Sequence, residues 1–260
     1  MWRGYCARWP LAVNPMHRFH CPRDLAPGAR LALPPEAAHH AIRVLRLKPG
    51  DTIGLFDGEG HEFSARIETI EGSTVWVAVG AAATSDREPT LKLQLLQGIS
   101  SGERMDYTVQ KAVELGVAEI WPILAERSVV RLSRERAEKR RLHWQRVAIA
   151  ACEQSGRSRV PPVHEPLRLA DWLATQKAQL RGNERALLLS PAGEGRLVDL
   201  GEPQGPVIIL AGPEGGFTDA EEAAARNQGF LPVRLGPRIL RTETAALAAL
   251  AAIQTLWGDF

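Results

Sequence analysis

Cysteine is scarce and unpatterned: Cys6, Cys21 and Cys152 are the three, far apart and without a C-x-x-C pair. This argues against a disulfide framework and fits a reducing cytosol, so a cytoplasmic location is expected. The seven histidines show no metal-ligand spacing; His39-His40, His17 and His20 are isolated, and no metal is expected. The longest unbroken apolar stretch, Ala245–Ile253, is far too short to span a bilayer, so no membrane partner is expected. The chain has no G-x-G-x-x-G fingerprint after its first strand and no G-K-[ST] phosphate loop, which argues against NAD-type and ATP-type sites. There is no internal repeat and no low-complexity tract. The net charge is only +2, so no case for nucleic acid rests on the total.

What is present is an ordinary globular composition, 45% apolar and 24% charged over 260 residues, enough for one large domain or two modest ones. Charge is unevenly spread. Arg127 to Arg159 holds ten Arg or Lys against three Glu, an excess of seven that either attracts phosphates or forms a solvated helix face.

Met1–Pro15 carries Trp2, Arg3, Arg8 and Trp9 without an apolar core or cleavage site. It reads as a disordered extension or a mis-assigned start, not a signal peptide. Residues 16–85 read as mostly β, with strands over Ile53–Phe56, Glu62–Ile70 and Thr74–Val79. Glycine turns separate them, one short helix starts at Pro35, and the spacing suggests a small barrel. Thr84–Pro89 reads as a linker. Over 86–260, strands and helices alternate, which predicts an α/β domain with a mainly parallel sheet. Strands are expected at Leu91–Leu96, Glu119–Leu124, Ala186–Leu189, Val207–Leu210 and Leu231–Leu235. Helices are expected from a Ser100/Glu103 capping box to Leu115, over Ser133–Ser155 and Leu169–Leu180, from a Thr218/Glu221 capping box to Gly229, and from Glu243 to Trp257. The Ala/Leu-rich last helix is either a tightly packed core helix or a subunit interface.

Two late segments carry the most information. Ala211-Gly212-Pro213-Glu214-Gly215-Gly216-Phe217 and Leu235-Gly236-Pro237-Arg238-Ile239-Leu240-Arg241-Thr242-Glu243-Thr244 each follow an apolar run and precede a helical pattern. Strand-end turns of this kind expose backbone N–H and C=O groups where α/β folds bind ligands. Two in one domain suggest a pocket built mainly of backbone, suited to a flat adenine-like group.

Taken with Gly102-Glu103-Arg104-Met105-Asp106 running into Gln110–Val117, and with Ala150–Arg157 followed by Pro161, these segments resemble the ribosomal RNA small-subunit methyltransferase E family of the SPOUT superfamily. His17-Arg18-Phe19 and Val44–Asp51 extend the resemblance, which covers Met16 to Phe260. It implies a PUA-like β-barrel that helps hold RNA, an α/β SPOUT methyltransferase domain with a C-terminal trefoil knot, and a homodimer. It also implies transfer of a methyl group from S-adenosyl-L-methionine to N3 of a uridine in 16S rRNA within the small ribosomal subunit. By the same resemblance, Gly212, Gly215, Gly216, Leu235, Gly236, Ile239 and Leu240 form loops that hold the adenosine. Pro213 and Thr244 belong to the same loops, and Leu189 and Ser190, ending another strand, complete the pocket.

Methylating uracil N3 requires positioning, a proton acceptor and donors that stabilise the anion on O2 and O4. Arg241 and Arg238 are the candidate donors. Glu243 is a candidate proton acceptor or a cap of the last helix. Glu214 either engages the cofactor or stabilises its loop. Arg18, Arg104, Lys111, Gln154, Arg157 and Arg159 are the candidate RNA contacts. A SPOUT enzyme acting on transfer RNA and a non-catalytic ribosome-assembly factor are the competing readings.

Overall fold

A computed structural model describes residues 16–83, 87–128, 133–176 and 183–260. The expected extension at 1–15, part of the linker and the end of the helix expected at Leu169–Leu180 lie outside the described residues. The chain divides into two compact units. One ends before Arg87 and includes Gly156–Arg159; the other takes Arg87–Ser155 and Val160–Phe260.

The first unit contains β1 (Arg18–His20), β2 (Arg30–Ala32), α1 (Pro35–His39), β3 (Thr52–Phe56), β4 (Glu62–Glu71) and β5 (Thr74–Ala83). Its sheet has the order β1-β3-β4-β5-β2, antiparallel except for β1 beside β3. Pro35 opens α1, where a missing N–H costs nothing. Gly72, at φ +62°, turns β4 into β5. Alternate residues Val75, Val77 and Val79 of β5 and Phe63, Ala65 and Ile67 of β4 point into one core with Phe19, Ile53 and Leu55. Gly156–Arg159 joins this unit through Glu62: Ser158 Oγ donates to its carboxylate at 2.9 Å, and Arg18 donates to the Arg157 carbonyl at 3.1 Å.

The second unit contains β6 (Leu93–Gly98), α2 (Arg104–Glu114), β7 (Val117–Leu124), α3 (Arg134–Ser155), β8 (Leu167–Arg168), α4 (Leu169–Gln176), β9 (Arg185–Leu189), β10 (Val207–Ala211), α5 (Asp219–Asn227), β11 (Leu231–Val233) and α6 (Thr242–Trp257). The sheet order is β11-β9-β10-β6-β7-β8, and every pairing is parallel. The central strand β10 is a continuous apolar run, buried at every residue, as expected of a parallel strand covered on both faces. α6 buries Ala246, Ala249, Leu250 and Ile253, and its Gln254 donates to the Leu115 carbonyl at 3.1 Å, satisfying the end of α2.

The Thr218/Glu221 capping box forms in both directions. The Ser100/Glu103 box does not: α2 starts at Arg104 after a turn with Gly102 at φ +62°, and the buried Ser100 hydroxyl has no partner among the described residues. The reason lies far along the chain. Glu214 takes the Ser101 N–H and hydroxyl, both at 2.9 Å, and holds residues 101–103 out of the helix. The strand expected at Leu231–Leu235 ends at Val233, which leaves Leu235 in a loop.

Candidate active site

The loops that follow β9, β10 and β11 meet the start of α6 around a cavity of about 440 Å³. It lies at the carboxyl ends of parallel strands, where open α/β sheets bind ligands. Its volume is in the small-molecule range.

Three relationships shape its walls. Gly98, the last residue of β6, touches the glycine-rich loop: a Cβ there would lie 2.3 Å from the Pro213 nitrogen and 2.7 Å from the Gly212 carbonyl carbon. Buried Gln97 donates to the Thr242 hydroxyl at 2.9 Å, which itself donates to the Gly212 carbonyl at 2.5 Å. Glu214 accepts from Ser101 and, at 2.9 Å, from Arg104. Partial burial pushes the Glu214 carboxyl up, but these donors outweigh it and hold the group below its ordinary value. Glu214 is therefore committed to fixing its loop.

Gly216 and Gly236 have φ of +66° and +82°, in the left-handed region that favours glycine. A Cβ at Gly216 would meet no atom of the described residues within 4 Å beyond its chain neighbours. Leu189, Ser190, Gly212, Pro213, Glu214, Gly216, Leu235, Gly236, Ile239 and Leu240 all line the cavity, as do Arg238, Arg241 and Glu243. Gly215 and Thr244 do not. Gly215 turns away, its missing Cβ facing the Arg127 carbonyl at 2.9 Å, and Thr244 lies on the exposed side of α6. Gln97, Gly98 and Thr242 escaped the sequence reading although Gly98 ends a strand in the same way as Gly212. Phe217, Glu222 and Arg234 also line the cavity; Ser190 Oγ donates weakly to Glu222 at 3.3 Å.

The charges differ in how far they are engaged. Arg104 is paired with Glu214, whereas Arg238 and Arg241 are exposed and have no side-chain partner among the described residues. Glu243 does not cap α6: it lies inside the helix, and one carboxylate oxygen is buried without a hydrogen-bond partner among the described residues.

The expected RNA contacts divide. Arg18, its side chain 7% exposed, makes two 2.9 Å bonds to Glu62, and Arg157 is buried. The Glu62 carboxylate draws Arg18 in. Lys111 is paired with Glu114 at 2.7 Å. Gln154 and Arg159 are exposed.

The model of the RNA methyltransferase domain matches residues 86–254, and that of the RNA methyltransferase PUA domain matches residues 33–79. A ribosomal RNA small subunit methyltransferase E from Buchnera aphidicola is 32% identical over 94% of each chain. One from Bacillus subtilis is 33% identical over 84% of this chain and 87% of its own. The chain belongs to the ribosomal RNA small-subunit methyltransferase E family. Among solved structures, the family's protein from Neisseria gonorrhoeae bound to S-adenosyl methionine superposes with TM-score 0.87 at 44% identity, covering 94% of this chain and 99% of that one. A putative methyltransferase from Legionella pneumophila in complex with the same cofactor superposes with TM-score 0.89 at 39% identity over the same shares. The second unit thus has the SPOUT methyltransferase fold of this family, and the first is its PUA-like domain. No helix among the described residues is long and apolar enough to cross a membrane, and the described residues contain no group of acidic, His and Cys side chains that suits a metal ion.

Proposed function

We propose that the protein methylates N3 of a uridine in the 16S rRNA of the small ribosomal subunit, with S-adenosyl-L-methionine as donor. The observation that carries this reading is the cavity itself: two glycine-turned loops, locked to β6 and α6, around an opening whose charges without a partner among the described residues are three arginines, Arg234, Arg238 and Arg241, and the Glu243 carboxylate.

The walls fit the cofactor. Leu189, Leu235 and Leu240 offer apolar surface to a flat base. Gly216 and Gly236 let backbone N–H and C=O groups approach it, and the volume suits a ligand of this size. When bound, the cofactor supplies a methyl group already activated by its sulfonium.

The protein must then prepare the nucleophile. Arg238 and Arg241 donate to the uracil oxygens and stabilise the anion that forms as N3 loses its proton. Glu243, which lines the cavity and has a carboxylate oxygen without a hydrogen-bond partner among the described residues, takes that proton. Gln97, Thr242 and Glu214 hold the loops so that these groups converge.

The active form is a homodimer. The exposed side of α6, with Ala252 and Leu256, borders a second, apolar depression with Val198 and Pro237, a face that a second copy would cover. The enzyme works in the cytoplasm, where small subunits are assembled.

Mass mapping of methylated nucleosides in 16S rRNA from cells with and without the gene tests the activity. Loss of one 3-methyluridine on deletion is expected. Loss of a modification in transfer RNA instead, or no loss at all, overturns it. Calorimetry with S-adenosyl-L-methionine separates an enzyme from an assembly factor that needs no cofactor.

A further inference from the structure

α3 is longer than the helix beside it, and the excess is basic. Asp106, in the first turn of α2, accepts from Trp144 at 3.0 Å and contacts His143 Nε2 at 2.7 Å, both near the middle of α3. α2 joins β6 to β7 and α3 joins β7 to β8, all parallel neighbours in the sheet, so the two helices run side by side in the same direction. Residues 134–141 of α3 therefore extend beyond the start of α2, by roughly 11 Å at the helical rise. They extend toward the carboxyl ends of the strands, where the cavity opens.

This overhang carries Arg134, Arg136, Lys139, Arg140 and Arg141 against Glu135 and Glu138. The two glutamates are taken by Lys139 and Arg141. Arg134, Arg136 and Arg140 are exposed and have no acidic partner among the described residues. Arg136, Arg140 and His143 follow the four- and three-residue steps of one stripe, on the flank that meets Asp106. Next to Asp106, Tyr107 is 50% exposed, an uncovered aromatic ring one helical step round from the cavity-lining Arg104.

We propose that this overhang and Tyr107 form a docking surface for the RNA strand beside the target base, with Arg136 and Arg140 holding phosphates and the Tyr107 ring stacking on a neighbouring base. The occupant follows from charge complementarity and from the pairing of cations with an exposed ring, the combination that binds single strands. The proposal rests on the rRNA reading above, and its test reads binding apart from chemistry.

Small subunits from cells lacking the gene are bound to wild type, to the double variant Arg136→Gln/Arg140→Gln, to Tyr107→Ala and to Tyr107→Phe, over a range of salt. The double variant is expected to bind about tenfold more weakly. Its log–log salt slope should be shallower by about 1.4 to 1.8, since each phosphate contact contributes about 0.7 to 0.9. Tyr107→Ala should weaken binding with an unchanged slope, and Tyr107→Phe should restore it, because stacking uses the ring. Cofactor affinity should stay at the wild-type level in all variants. Unchanged subunit affinity and slope in the double variant, or equal loss in both Tyr107 variants, overturns the proposal, as does failure of wild type to bind subunits at all. Wild type that binds but does not methylate overturns the proposed activity alone.

Discussion

The hydroxyl of Thr242, the first residue of α6, donates to the carbonyl of Gly212 at 2.5 Å. Thirty residues separate them, and the same hydroxyl accepts from buried Gln97 on β6. One side-chain oxygen thus joins strand β6, the loop after β10 and the start of α6.

Thr242→Val keeps the shape and removes the hydroxyl. The Gln97 amide and the Gly212 carbonyl would each lose a partner in a buried place, at a cost of about 1–3 kcal/mol. The expected result is a lower melting temperature and at least tenfold weaker cofactor binding. Calorimetry beside melting curves checks it; wild-type affinity in the variant would show that the bond does not hold the pocket.

Gly98→Ala tests the close approach of β6 to the glycine-rich loop. The added methyl would sit 2.3 Å from the Pro213 nitrogen, backbone that cannot swing aside. Overpacking of this kind costs about 1–3 kcal/mol, and the displaced loop should lose cofactor affinity as well. Gly215→Ala pushes on the Arg127 backbone instead, outside the cavity. It should therefore cost stability more than affinity. Equal behaviour of the two variants in both assays would count against this distinction.

How much of this could be read in advance follows from sequence distance. The turns at Gly212 and Gly236 and the Thr218/Glu221 box are made by neighbours, so glycine, proline and capping residues announce them. The failure of the Ser100/Glu103 box depends on Glu214, more than a hundred residues later. The inward turn of Arg18 depends on Glu62, 44 residues later, and periodicity does not show which strand will face it. The Gln97–Thr242 bond spans 145 residues. Residues at the cavity were named because they lie in the turns; residues that fix those turns from behind were missed because only the folded chain brings them there.

Glu214→Gln should reveal an acid-dependent clasp. The Glu214 pKa is held below its ordinary 4.5, because the donors of Ser101 and Arg104 outweigh the effect of burial. A carboxyl depressed in the folded state stabilises above its unfolded pKa and loses that contribution as pH falls through the folded value. The variant should therefore be less stable at neutral pH by about 1 kcal/mol, most of it from Ser101, since half-exposed Arg104 is screened. The gap from wild type should close below pH 4.5. Denaturant melts across that range measure it, and a gap independent of pH would refute the charge argument.

Arg241 precedes α6 and faces the cavity with no partner for its guanidinium among the described residues. A structural arginine would be paired, and its obvious partner, Glu243, is not bonded to it. If it donates to the uracil oxygen as N3 loses its proton, its contribution appears mainly in the transition state. Arg241→Ala should then lower single-turnover rates by about a hundredfold, the scale of losing one oxyanion donor. Melting temperature and cofactor affinity should change little, because no side-chain hydrogen bond or ion pair among the described residues is removed. Arg241→Lys should recover only part of the rate, since the point charge lacks the planar fork. The measurement is the single-turnover rate at saturating cofactor and small subunits, beside melting curves for each variant. A parallel fall in stability and cofactor affinity with normal chemistry would make Arg241 a scaffold residue, and a stable variant with the wild-type rate would remove it from the reaction.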